Sequence, residues 1–102
     1  MNRYKEPVYT LYVRHAMRFY SHYPNITNFR SEADRLNWYA CHSVIQGYSA
    51  VNKDILLSVY GERDTLGDNV YNVSKRYGIH QDGVWLMMRE FERELAIERG
   101  LL

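Results

Sequence analysis

Residues 71–86 read Tyr-Asn-Val-Ser-Lys-Arg-Tyr-Gly-Ile-His-Gln-Asp-Gly-Val-Trp-Leu, and their spacing decides the fold of the second half of the chain. Two helices that cross closely need a small residue at the crossing, and Ser74 stands there. Four residues on, a tight turn needs backbone with positive φ, which Gly78 adopts without steric penalty. Apolar residues just after the turn and five further along must plug the gap between the helices; these are Ile79 and Val84. Val73, Tyr77, Met87 and Phe91 extend the same small core, so these six apolar side chains are expected to be buried together. A plain helical hairpin with glycine in its turn meets some of these conditions. All of them in register, with another helix immediately upstream, favour a helix-turn-helix.

Reading outward from this stretch, Thr65 and Asp68 form a capping pair ahead of Leu66, Val70, Val73 and Tyr77, an amphipathic face that ends at Gly78. After the turn, a last helix begins near His80 or Gln81. It buries Val84, Met87, Met88, Phe91 and Leu95, and Gly100 stops it. Upstream, Ile55, Leu56, Val59 and Tyr60 define a short third helix, followed by the polar turn Glu62-Arg63-Asp64. A second helix starts at Ser31, with Asp34 three residues on, and carries Ala33, Leu36, Ala40, Val44 and Ile45 as its apolar stripe up to Gly47. Tyr23 to Asn28 is a loop. The first helix follows Pro7, with Val8, Leu11, Tyr12, His15, Met17, Phe19 and Tyr20 at helical spacing and Arg14 and Arg18 turned elsewhere. The periodicity thus predicts helices near 8–21, 31–47, 52–60, 66–77 and 81–99, and no strand. The expected fold class is all-α: a compact five-helix single domain over 1–102. Residues 1–51 form a Tyr-rich helical pair and 52–102 a C-terminal three-helix helix-turn-helix.

A hydrophobic fraction of 46% with 25% charged residues is ordinary for a globular domain and excludes the disordered class. Aromatic residues make up 15%, ten of them tyrosines, and such side chains need hydroxyl partners when buried. The lone Cys41 excludes an internal disulfide and points to a reducing compartment, hence a cytoplasmic location. No apolar run approaches the roughly 20 residues of a membrane span. The opening Met1-Asn2-Arg3-Tyr4-Lys5-Glu6 is polar, with no signal-peptide core behind it. His15, His22, His80 and the adjacent Cys41-His42 lack the close-paired spacing of a zinc site. No activated nucleophile or phosphate-binding glycine loop is present, so neither an enzyme nor a cofactor is expected. Glu90, Glu92, Glu94 and Glu98 are expected on a solvated face, with pairs such as Glu90–Arg93.

The stretch Asp54-Ile55-Leu56-Leu57-Ser58-Val59-Tyr60, a short turn, and Val70 to Ala96 together resemble the C-terminal domain of sigma factors, region four. They are similar also to the phage late-gene transcription regulators of the ArpU and RinA type. The resemblance covers residues 52–100. It implies a sequence-specific, phage-type DNA-binding regulator whose residues 80–90 form the recognition helix, with its early turns in the major groove. Two features depart from that pattern: His80 stands where Ser or Thr usually caps the helix, and the exposed face of the last helix is more acidic.

The candidate DNA-binding set is Lys75, Arg76, His80, Gln81, Asp82, Trp85 and Arg89. Lys75 and Arg76 suit phosphates, Gln81 an adenine edge, and Arg89 a guanine or a phosphate. Asp82 repels phosphate; it either accepts from a cytosine amine or complements the helix dipole. Trp85 and Leu86 suit packing against the N-terminal helices or a second copy better than a groove. Gly83 costs about 1 kcal/mol in a helix, which a close external backbone would explain; otherwise it merely softens the first turn. Arg14, Arg18, Arg30 and Arg35 reach the DNA backbone if their helices lie beside the recognition helix. The formal charge of +1 is uneven, +3 over 1–51 and −1 over 66–102, and gives no broad basic footprint. Expected partners are double-stranded DNA and a second copy of the chain, with no membrane; a host protein bound on the same scaffold is the alternative.

Overall fold

The computed structural model describes residues 6–102, so the polar opening at 1–5 lies outside the described residues. The elements are α1 (Thr10–His22), α2 (Glu32–Ile45), α3 (Ala50–Gly61), α4 (Leu66–Tyr77) and α5 (Gln81–Glu98), with no strand among the described residues. The all-α, five-helix expectation holds.

Local chemistry places most of the helix ends. Ser31 Oγ accepts from Asp34 N–H at 3.1 Å, Ser49 Oγ from Asn52 N–H at 3.1 Å, and Thr65 Oγ1 from Asp68 N–H at 3.3 Å. Each hydroxyl satisfies one of the N–H groups that a helix start leaves without a partner. Ser49 is the cap that the periodicity missed, and it starts α3 at Ala50 instead of Asn52. Gly78 closes α4 with φ +67°, and the carbonyl of Ser74 accepts from both Gly78 and Ile79 N–H. Gly100, at φ +79°, closes α5 in the same way, with Leu101 N–H donating to Ala96 O at 2.8 Å.

A single core joins all five helices. Val84, Met88, Phe91 and Leu95 of α5 pack with Val70 and Val73 of α4 and with Ile55, Leu56, Val59 and Tyr60 of α3. The same cluster takes in Val13, Met17 and Tyr20 of α1 and Trp38, Cys41 and Ile45 of α2. At about 1.5–3 kcal/mol for each large side chain removed from water, this shared burial is what holds the N-terminal pair against the C-terminal unit.

Two faces differ from expectation. On α1 the buried residues are Thr10, Val13, Ala16, Met17 and Tyr20, whereas Val8, Leu11, Tyr12 and His15 are exposed. The helix carries apolar residues on both sides, and packing against α2 and α3 selects one of them. On α2, Asn37, Trp38 and Cys41 point inward beside Ala40 and Ile45, while Ala33 and Leu36 are exposed. Trp38 wins this competition because it is large and its Nε1–H finds a partner, the Tyr23 carbonyl, at 2.9 Å. Of the six residues expected to plug the α4–α5 gap, Val73, Val84 and Phe91 are fully buried and Tyr77 and Met87 half-buried. Ile79 is 36% exposed, because the left-handed turn at Gly78 carries it outward past the end of α4.

Candidate nucleic-acid interface

Ser74 is 5% exposed and its Oγ donates to Tyr71 O at 2.8 Å, so it brings a small, internally satisfied side chain to the α4–α5 contact. Asn69, also on α4, donates through Nδ2 to Val59 O at 2.9 Å and to Glu62 O at 3.1 Å. It thereby ties α4 to the C-terminal end of α3, whose carbonyls lack helical partners. These contacts fix where the start of α5 emerges.

At that start His80 is the capping residue. Its Nδ1 accepts from Asp82 N–H at 3.0 Å, which requires the tautomer with no hydrogen on Nδ1. The Asp82 carboxylate is 3.7 Å from the same nitrogen and its side chain is 92% exposed. The first turn is therefore complemented by a carboxylate free to swing outward. Gln81, Asp82, Gly83, Leu86 and Arg89 are exposed on the outer side of α5, and Lys75 and Arg76 are exposed at the end of α4. A Cβ added at Gly83 meets nothing within 4 Å, so no part of this chain demands glycine there.

The cations are engaged to different degrees. Arg76 Nη1 donates to Glu62 Oε2 at 2.7 Å, and this hydrogen bond raises the guanidinium pKa further above its usual range. The Lys75 ammonium stands 5.4 Å from the centre of the Tyr71 ring. Trp85 is half-buried, and the Arg14 guanidinium lies 6.0 Å from the centre of its ring, so this indole leans toward α1. Leu86, its neighbour, is 50% exposed.

A carboxylate expected in solvent instead lies at the centre of the α1–α3–α5 junction. Glu92 is 3% exposed, and its Oε2 accepts from Tyr60 Oη at 2.7 Å and from Arg14 Nε at 2.8 Å. Burial opposes the charge on Arg14, but the hydrogen bond and attraction of Glu92 outweigh it and raise its pKa. Burial, and then the Glu92 charge, push the Tyr60 hydroxyl well above its usual value. The positional signal was present in the sequence: residue 92 continues the inward row of Met88, Phe91 and Leu95, and only its charge argued for solvent. Arg14 is thus partly buried and engaged with Glu92, and Arg35 is engaged with Glu32, whereas Arg18 and Arg30 are exposed.

Cys41 is buried, and desolvation pushes its thiol up to about 12, which disfavours the thiolate. Among the described residues no cluster of His, Cys, Asp or Glu has the makings of a metal site, and no helix is long and apolar enough to cross a membrane. The chain matches no protein-family model, no curated protein and no solved structure.

Proposed function

We propose that the protein binds duplex DNA sequence-specifically and acts in the cytoplasm as a transcription regulator of the phage type, without catalysis or cofactor. The observation that carries this is the α4–Gly78–α5 unit: a tight left-handed turn aims the start of α5 away from the core, with Gln81, Asp82 and Arg89 exposed along it. The resemblance of residues 52–100 to sigma region four and to the ArpU and RinA regulators supports the same role. Lys75 and Arg76 hold phosphates, Arg76 by exchanging Glu62 for the DNA backbone. Gln81, Asp82 and Arg89 meet base edges, His80 keeps the helix start ordered, and Trp85 braces α5 on α1.

With so few cations at the interface, affinity rests on placed contacts. Two or three phosphates neutralised give a salt slope of about −1.8 to −2.7, a loss of roughly ten- to forty-fold between 50 and 200 mM salt. Arg76→Ala weakens all sequences alike, whereas Gln81→Ala relaxes discrimination at one base pair by about 1–3 kcal/mol. Selection from a random duplex library at low salt is the test, and enrichment of a common site is the expected result.

A protein-binding role is favoured by one set of observations, the half-exposed Leu86 beside an outward Asp82 and the exposed Glu90, Glu94 and Glu98. If no duplex is enriched, DNA binding is abandoned and this face is taken to bind a host protein.

A further inference from the structure

Helices α1 and α2 and the segment between them enclose a cleft of about 470 Å³ on a different part of the molecule from the candidate interface. Its size falls in the range of small-molecule sites, roughly 300–1,000 Å³. Phe19, Tyr23 and Ile26 give it an apolar wall, and Arg30 and Asp34 line it with opposite charges. Neither of these two forms an ion pair among the described residues, although Arg35 and Glu32 beside them do.

The wall is held before any ligand arrives. The Tyr23 carbonyl accepts from Trp38 Nε1–H at 2.9 Å and from Ile26 N–H at 3.3 Å. The Phe19 and Tyr23 rings are 5.4 Å apart, and Phe29 packs on Trp38 at 6.0 Å. A preformed wall spares a ligand the penalty of ordering it.

A purely anionic ligand pairs with Arg30 but desolvates Asp34 without compensation, and a purely cationic one does the reverse. A molecule carrying both charges beside an apolar group pairs with both charged side chains and the apolar wall, and His15, Asn28 and Asn37 complete the lining. We infer that the cleft binds a free α-amino acid with an apolar side chain, its carboxylate on Arg30, its ammonium on Asp34, and its side chain against Phe19, Tyr23 and Ile26. This site is independent of DNA binding.

The test is a titration of the isotope-labelled full chain with L-phenylalanine, read by amide chemical shifts. Saturable shifts confined to residues 15–37 are expected, with a Kd of about 1 mM for so small a ligand. N-acetyl-L-phenylalanine, L-phenylalaninamide and glycine each lack one of the three features and should bind about tenfold more weakly. Arg30→Gln should weaken L-phenylalanine about tenfold yet leave L-phenylalaninamide unchanged, and Asp34→Asn should leave N-acetyl-L-phenylalanine unchanged. Absence of saturation at about ten times that Kd, equal binding of all four probes, or variant losses that do not match the missing charge would each overturn the assignment.

Discussion

Gly78 and Gly83 are four and nine residues from Ser74, both exposed, yet physics treats them oppositely. At Gly78 the φ of +67° is strained for any residue with a β-carbon, and most for a β-branched one. Gly78→Val should therefore lower stability by more than about 1 kcal/mol, and thermal unfolding checks it. At Gly83 the backbone is helical and the space is open, so Gly83→Ala should raise stability by about 0.5–1 kcal/mol. If DNA backbone or a base edge approaches closely there, the same substitution weakens DNA binding while stabilising the fold. The pair separates a glycine required by the chain from one that this chain does not require. Glu92 is the residue where burial and charge conflict most. Glu92→Gln keeps a hydrogen bond for Tyr60 but strips Arg14 of its buried counter-charge, leaving only Glu6 at 3.4 Å on the exposed side. The expected loss is about 2 kcal/mol, below the roughly 3–5 of a wholly buried pair because the Arg14 side chain is 21% exposed. Replacing Arg14 and Glu92 together by Met, with Tyr60→Phe to remove the hydroxyl they would orphan, should cost less than Glu92→Gln alone, as urea unfolding would show.

Among the elements, α4 packs between α3 and α5, and it depends on polar contacts as well as on Val70 and Val73. Asn69 gives its amide to two carbonyls at the end of α3. Asn69→Ala should leave those carbonyls unsatisfied and destabilise by about 1–3 kcal/mol, measured by the denaturation midpoint. Helix α1 illustrates what an element cannot decide alone. Its sequence offers two apolar stripes, and the one containing Leu11 and Tyr12 is the one left in solvent. Tyr12 still exchanges hydrogen bonds with Asn37, which also accepts from Arg99 Nε at 2.6 Å. That network links α1, α2 and the end of α5.

For the whole molecule, the tyrosines set a limit on the alkaline side. Tyr60, Tyr48 and Tyr20 have hydroxyls raised above their usual value, chiefly by burial, and Cys41 is raised to about 12. The folded state thus keeps protons that the unfolded chain releases, so stability is fully present below pH 9 and falls as pH rises through the ordinary thiol and phenol range. The slope approaches about 1.4 kcal/mol per pH unit for each of the buried groups Tyr60 and Cys41, and Tyr60→Phe should flatten the decline in urea midpoints measured between pH 8 and 11. Exposed Val8, Leu11, Leu36, Tyr39 and Ile97 leave apolar surface on the outside of the monomer. A homodimer is the expected assembly, as suits reading two half-sites; light scattering giving only the 12.2 kDa chain mass at high concentration would remove it.

Helix existence, caps at Ser31 and Thr65, the stop at Gly78 and the apolar faces of α3, α4 and α5 were determined by the sequence alone. Each follows from local chemistry: a hydroxyl three residues before an N–H, a glycine where φ must be positive, a single unambiguous apolar row. The inward face of α1, the burial of Trp38 and Asn37 and the pairing of Glu92 with Arg14 and Tyr60 were decided only by tertiary structure. Those depend on residues 15 to 78 positions apart in the chain coming together, and a carboxylate enters the core only because a guanidinium and a phenol from two other helices are already there to receive it.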